Sequence, residues 1–171
     1  MNSEERRRSI EQLLTNSNGP HKGHELAQKY GVTRQVIVKD IAILRAAGKK
    51  IVATPEGYMM INKVYGTVKK VLAFNHNKED IKEELEIIIK YGGKVEDVIV
   101  EHPVYGEIRG ILMIKNLYDI ENFMKNLKEQ NAKPLSILTG GVHLHTIQTE
   151  DEANMNKIMG ELKKKNFLIL D

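Results

Sequence analysis

The sequence predicts an α+β protein in two parts: a winged helix-turn-helix over residues 1–63 and an α+β sandwich over residues 64–171. Three observations carry this. Residues 23–47 hold two amphipathic stretches split by the tight turn Gly31-Val32-Thr33. A lysine-led pair of short apolar runs follows Gly48. Beyond a join at Tyr65-Gly66, segments of strand and helix period run strand, helix, two strands, helix, two strands, helix. Strands that follow strands directly point to a largely antiparallel sheet with helices packed on it.

The elements justify themselves in turn. Ser3, with Glu4 and Glu5 behind it, starts a helix with acids at its positive end. Ile10, Leu13 and Leu14 give that helix an apolar stripe, and the loop 16–20 ends it. A second helix, 23–30, turns Leu26 and Ala27 inward, and Gly31 supplies its left-handed cap. Thr33 caps a third, 34–47, with Val36, Ile37, Ile41 and Leu44 at helical spacing. Strands 49–53 and 58–61 flank the turn Thr54-Pro55-Glu56-Gly57 and form the wing. In the second part, strands are expected at 67–74, 95–101, 107–114, 135–138, 142–148 and 167–170, and helices at 78–91, 119–130 and 151–165.

Charge divides along the same line. Residues 1–63 carry eleven Lys/Arg against six Asp/Glu, whereas residues 64–171 carry fifteen against seventeen. A basic front is suited to a polyanion. The chain has no cysteine, which removes disulfides and thiolate metal sites and leaves histidine and carboxylate as the metal-binding side chains. No apolar run is long enough to span a bilayer, and the charged start lacks the pattern of a signal peptide. A cytoplasmic protein with no membrane partner is the expectation.

In the front part the second helix of the pair would enter the major groove by its N-terminal residues. Those are Thr33, Arg34, Gln35 and Lys39. Arg pairs with guanine, Gln with adenine, and Thr or Lys with phosphate. Lys49 and Lys50 on the wing are placed for phosphate contacts. His21 and His24 are read as surface or phosphate-contacting residues. The stretch from Gly23-His24-Glu25-Leu26-Ala27 to Leu44-Arg45-Ala46-Ala47-Gly48 resembles the winged helices at the front of biotin-operon-type repressors.

Four of the six histidines lie in the second part. His143 and His145 share one face of a strand, separated by roughly 6–7 Å of rise, so both can close on one cation. His76 ends the first strand. On the helix after it, Glu84 falls within about 60° of the inward residue Ile81, while Glu79, Glu83 and Glu86 point away. A carboxylate beside a buried face is costly unless it is paired or metal-bound. Three imidazoles and a carboxylate suit Zn²⁺, Ni²⁺ or Fe²⁺. The same residues also admit a hydrogen-bonded core histidine, and a Glu84 that meets only a lysine or arginine.

Phe74-Asn75-His76, the segment Val98 to Gly106 containing His102-Pro103-Val104-Tyr105-Gly106, and Thr139-Gly140-Gly141-Val142-His143-Leu144-His145 resemble the 3H domain. A winged helix followed by this domain is similar to the niacin-responsive repressors of NAD biosynthesis and niacin uptake. That resemblance implies an HPr-like α+β fold, a homodimer, nicotinic acid as co-repressor, and His76, Glu84, His143 and His145 as metal ligands. His102 would line the pocket or hydrogen-bond nearby. Arg109, or the N–H groups of Gly140 and Gly141, would meet the far end of nicotinate. The operator of such a dimer would be a palindrome or near-palindrome. Two rivals accompany this reading: a pure metal-responsive repressor, and a metal-dependent enzyme with a DNA-binding front.

Overall fold

Helix α1 (Ser3–Asn16) is capped by Asn2, one residue before the expected Ser3. The Asn2 side chain accepts the N–H groups of Glu4 and Glu5, and the Glu5 carboxylate accepts the Asn2 N–H. This satisfies donors that a helix start leaves orphaned. Helices α2 (Gly23–Tyr30) and α3 (Arg34–Ala46) follow, with Gly31 left-handed between them at φ 63° and Thr33 capping α3. Strands β1 (Ile51–Thr54) and β2 (Gly57–Met60) pair antiparallel as the wing. Ile10, Leu14, Leu26, Ile37, Ile41 and Leu44 form the core of this unit.

The structure is a computed structural model that describes residues 1–61 and 67–170. The chain divides into two units, residues 1–64 and 65–171. The expected join at Tyr65-Gly66 lies outside the described residues.

A buried charge ties the first unit together. Asp40, 2 % exposed in the middle of α3, accepts from Arg6 Nε at 2.6 Å and Arg6 Nη2 at 3.3 Å, with Arg7 at 3.5 Å. Arg8 pairs with Glu4, and Lys49 with Glu11. Part of the basic surplus read as polyanion-binding is therefore balanced inside the unit. Removing one partner of a buried pair strands the other. Asp40→Ala should lower the stability of this unit by about 3 kcal/mol in urea unfolding. Arg8→Ala, which breaks an exposed pair, should cost under about 1 kcal/mol. Equal small losses would show that the Asp40 clamp contributes nothing.

The wing is pinned to the α1–α2 loop. The His21 N–H donates to the Tyr58 carbonyl at 2.8 Å, and the Tyr58 N–H to the His21 carbonyl at 2.9 Å. His21 Nε2 also lies 2.6 Å from Ser17 Oγ, so this histidine is structural rather than a free surface group. Gly57 makes the approach possible: its φ is 130°, and a Cβ there would sit 2.3 Å from the His21 carbonyl oxygen.

The second unit is built from β3 (Val68–Asn75), α4 (Ile81–Lys90), β4 (Lys94–His102), β5 (Gly106–Ile114), α5 (Leu117–Glu129), β6 (Val142–Thr149) and α6 (Glu152–Lys164). Its antiparallel sheet has the order β3-β6-β4-β5. Leu72, Phe74, Ile88, Ile114, Ile147 and Ile158 pack between the sheet and the helices. This is the α+β class that the sequence predicts. Two expected strands differ. Residues 135–138 belong to a 3₁₀ turn, Leu135–Thr139, between Pro134 and a left-handed Gly140. The neighbours Ile137 and Leu138 are both exposed and Ser136 is buried, so no alternation supports a strand. Residues 167–170 make only a bridge at Phe74–Leu168, where the Asn75 N–H donates to the Phe167 carbonyl and the Ile169 N–H to the Ala73 carbonyl.

Candidate functional site

Strand period turns His143, His145 and Ile147 to the helix-covered face of β6. Phe74 on β3 stacks on the His143 ring at 5.4 Å and meets His145 edge-on at 5.1 Å. His76 lies one residue past the end of β3. Glu84 sits in the first turn of α4 beside buried Ile81 and Leu85. All four converge. Glu84 Oε2 is 2.5 Å from His76 Nε2 and 3.6 Å from His143 Nε2, and Oε1 is 2.8 Å from His145 Nε2. Ligand atoms of His76, Glu84 and His143 all lie within 4.8 Å of one another. Glu84 is 1 % exposed.

The imidazoles are oriented from behind. His76 Nδ1 is 2.8 Å from the Asn77 carbonyl, His143 Nδ1 is 2.8 Å from the Gly141 carbonyl, and His145 Nδ1 is 2.5 Å from the Asp97 carbonyl. A carbonyl only accepts, so each Nδ1 carries the proton and each Nε2 faces Glu84. Histidine ligands to metals are held in this way. Burial pushes the Glu84 carboxyl up, but the charge of His145 and the imidazole N–H groups around it prevail and hold it well below the ordinary range. Burial likewise opposes the charged forms of His76 and His145, yet Glu84 raises both above 6.5.

The donor set fits a divalent ion. Glu84 Oε1 is buried and makes no aligned hydrogen bond, even with His145 so near. A buried acceptor without a partner is costly. Three imidazole nitrogens and a carboxylate around it are the ligands that Zn²⁺, Ni²⁺ or Fe²⁺ would take.

Glu84, His143 and His145 also line a cavity of about 170 Å³. Its other walls are mostly apolar, among them Ile81, Val98, Leu112 and Phe123, with Ser136 and Lys133 as further polar groups. His102 and Arg109 do not line it. His102 Nδ1 accepts the N–H groups of Val104 and Tyr105 in the β4–β5 turn. Arg109 reaches Asp97 at 3.3 Å and Glu107 at 3.1 Å. The N–H groups expected to meet a ligand are engaged elsewhere: Gly140 donates to the Ile137 carbonyl and Gly141 to the Ser136 carbonyl. Gly141 instead permits close approach, since a Cβ there (φ 103°) would lie 2.7 Å from the His76 carbonyl oxygen. Both glycines and His76 line a separate recess.

Sequence reasoning missed Lys133 and Ser136, which come from a loop with no periodicity. It also missed Asp97, for which a signal existed. Glu96-Asp97 interrupts the apolar run between Val95 and Val100, as a strand with an irregular register does.

Residues 69–171 match the 3H domain, and residues 6–59 match an HTH domain. The chain belongs to the 3H-domain family. It is 49 % identical over 166 residues to the probable transcription repressor NiaR of Thermotoga maritima, covering 97 % of this chain and 94 % of that one. It is 37 % identical over 161 residues to the transcription repressor NadR of Bacillus subtilis, covering 92 % and 89 %. Both relatives carry the name of transcription repressor, one of them as probable, and this chain, with its HTH domain, is likewise a DNA-binding transcription repressor.

In this 3H-domain repressor, Thr33, Arg34, Gln35 and Lys39 are exposed along α3, while Ile37 and Ile41 behind them are buried. The Thr33 hydroxyl is occupied as a cap, accepting the Val36 N–H. A recess between the start of α2, the start of α3 and the wing is lined by Lys22, His24 and Arg34. Lys50 precedes the wing, but Lys49 is drawn to Glu11 at 2.6 Å. Among the described residues, no helix is long and apolar enough to cross a membrane.

Proposed function

We propose that this repressor is metal-containing and binds operator DNA more tightly when nicotinic acid is bound, so that it controls genes of NAD biosynthesis and niacin uptake in the cytoplasm. The carrying observation is the cavity of about 170 Å³ that shares Glu84, His143 and His145 with the candidate metal centre. Cavities of roughly 150 Å³ hold a benzene ring. Apolar walls suit the faces of a pyridine, Glu84, His143 and His145 would hold on one wall a metal able to accept the ring nitrogen or the carboxylate, and Lys133 offers a cation to an anionic ligand. Residues 1–63 would be the DNA-binding domain and 64–171 the sensing domain, with Thr33, Arg34, Gln35, Lys39 and Lys50 meeting DNA. As a homodimer the protein would present two α3 helices to major-groove faces roughly 34–36 Å apart.

Regulation requires the ligand to favour one arrangement of the dimer over another. The test is an operator titration, on a duplex recovered by selection from random sequence, with and without nicotinic acid. Wild type should gain about 5–150-fold in affinity, the usual span of allosteric coupling. His145→Ala should gain nothing, and nicotinamide, which lacks the anionic carboxylate, should act less well. Equal DNA affinity in every arm would remove the co-repressor reading.

A further inference from the structure

We infer that Asp97 is the positioning residue for His145, held in that role by Arg109 from the opposite face of the sheet. This rests on reading the His76/Glu84/His143/His145 cluster as a metal centre. Strand β4 loses register at this point. From Val95 to Ile99 it advances four residues while β6 advances three, from Ile147 to Leu144. Against β5 the step from Val95 to Asp97 faces three residues, Ile114 to Ile111.

The irregularity has a chemical content. In a regular ladder the Thr146 N–H would donate to a main-chain carbonyl of β4. Here it donates to the Asp97 carboxylate, Oδ1, at 2.9 Å, and the Thr146 hydroxyl donates to Oδ2 at 3.0 Å. The side chain thus takes a backbone acceptor's place. The Asp97 carbonyl accepts from His145 Nδ1 at 2.5 Å. One residue thereby serves both faces: Thr146 alternates with His145, so the carboxylate lies away from the metal ligands and the carbonyl faces them.

A carboxylate 3 % exposed needs compensation. The two Thr146 donors supply part of it, and Arg109 Nη1 at 3.3 Å supplies the opposite charge. Arg109 itself is half-exposed. A carboxylate that only patches a sheet defect would leave the ligand geometry at His145 indifferent to its loss; a positioning residue would not.

Co²⁺ is the probe, because its visible absorption reports the ligand geometry directly. The full-length protein is stripped with chelator and titrated. Wild type should bind Co²⁺ and His145→Ala should not. Asp97→Ala should lose about 10–100-fold in affinity, the usual cost of removing a partner behind a ligand, and should shift the visible band. Asp97→Asn, which keeps an oxygen for the Thr146 N–H, should recover most of that loss. Arg109→Gln tests the same link from a half-exposed position, and should weaken binding several-fold with a band shift in the same direction. Wild-type affinity and spectrum in Asp97→Ala, or in Arg109→Gln where Asp97→Ala does not fold, would overturn the inference and leave the metal centre standing. Failure of wild type to bind Co²⁺ would remove both.

Discussion

Glu84→Gln should abolish retention of the proposed metal. After dialysis against Zn²⁺ or Ni²⁺ and removal of loosely held ions, the variant should retain none by elemental analysis, where wild type retains one per chain. The expected loss of affinity exceeds about 100-fold, since even partners behind the ligands cost 10–100-fold. The reason lies in the arrangement. Among the described residues Glu84 is the acid that faces His76, His143 and His145, at 2.5, 3.6 and 2.8 Å, and it would supply the negative charge that offsets an ion in a site screened from water. An amide keeps the shape and removes the charge. Stoichiometric metal at wild-type affinity in Glu84→Gln would mean that the ion is held elsewhere.

The legible parts of this site were those fixed by one element. Helical phase alone separates Glu84 from Glu79, Glu83 and Glu86, and strand period alone puts His143 and His145 on one face. Both follow from local geometry. What the sequence did not disclose depends on register between strands. Arg109 was assigned to the ligand, yet its neighbour Gly110 is the residue that lines the cavity, and Arg109 pairs across the other face with Asp97. A shift of one residue exchanges the two. The glycines after Thr139 suggested free N–H groups, but a 3₁₀ turn consumes them. The strand assigned to 135–138 failed for the same reason: four apolar or small residues fit either conformation until Pro134 and Gly140 fix the ends. In the first unit the charge count does not separate paired from free cations, although helical phase sets Asp40 within about 60° of inward Ile37, just as it sets Glu84 beside Ile81, and Arg6 and Arg7 turn to it.

Acid and metal should oppose one another at this centre, and their pH dependences should carry opposite signs. Without metal, protons on Nε2 of His76 and His145 pair with the Glu84 carboxylate. Glu84 raises both imidazoles above their ordinary 6.5, so the stability they contribute is full below 6.5 and is lost as pH rises through their raised values. Glu84 itself lies well below its ordinary 4.5, so its contribution is full above 4.5 and is lost as pH falls through that depressed value. The metal-free protein should therefore melt highest between these limits and melt lower toward alkaline pH. An ion needs the same nitrogens unprotonated. Displacing two protons makes its affinity rise about 100-fold per pH unit while both imidazoles are still charged, and level off above their raised values. Thermal melts at fixed free Zn²⁺, set by a metal buffer, should show stabilisation growing with pH over the range in which the chelated protein weakens. The crossing of the two curves is the signature: proton and metal compete for one set of Nε2 atoms. Parallel curves would mean that the ion binds at groups other than His76 and His145.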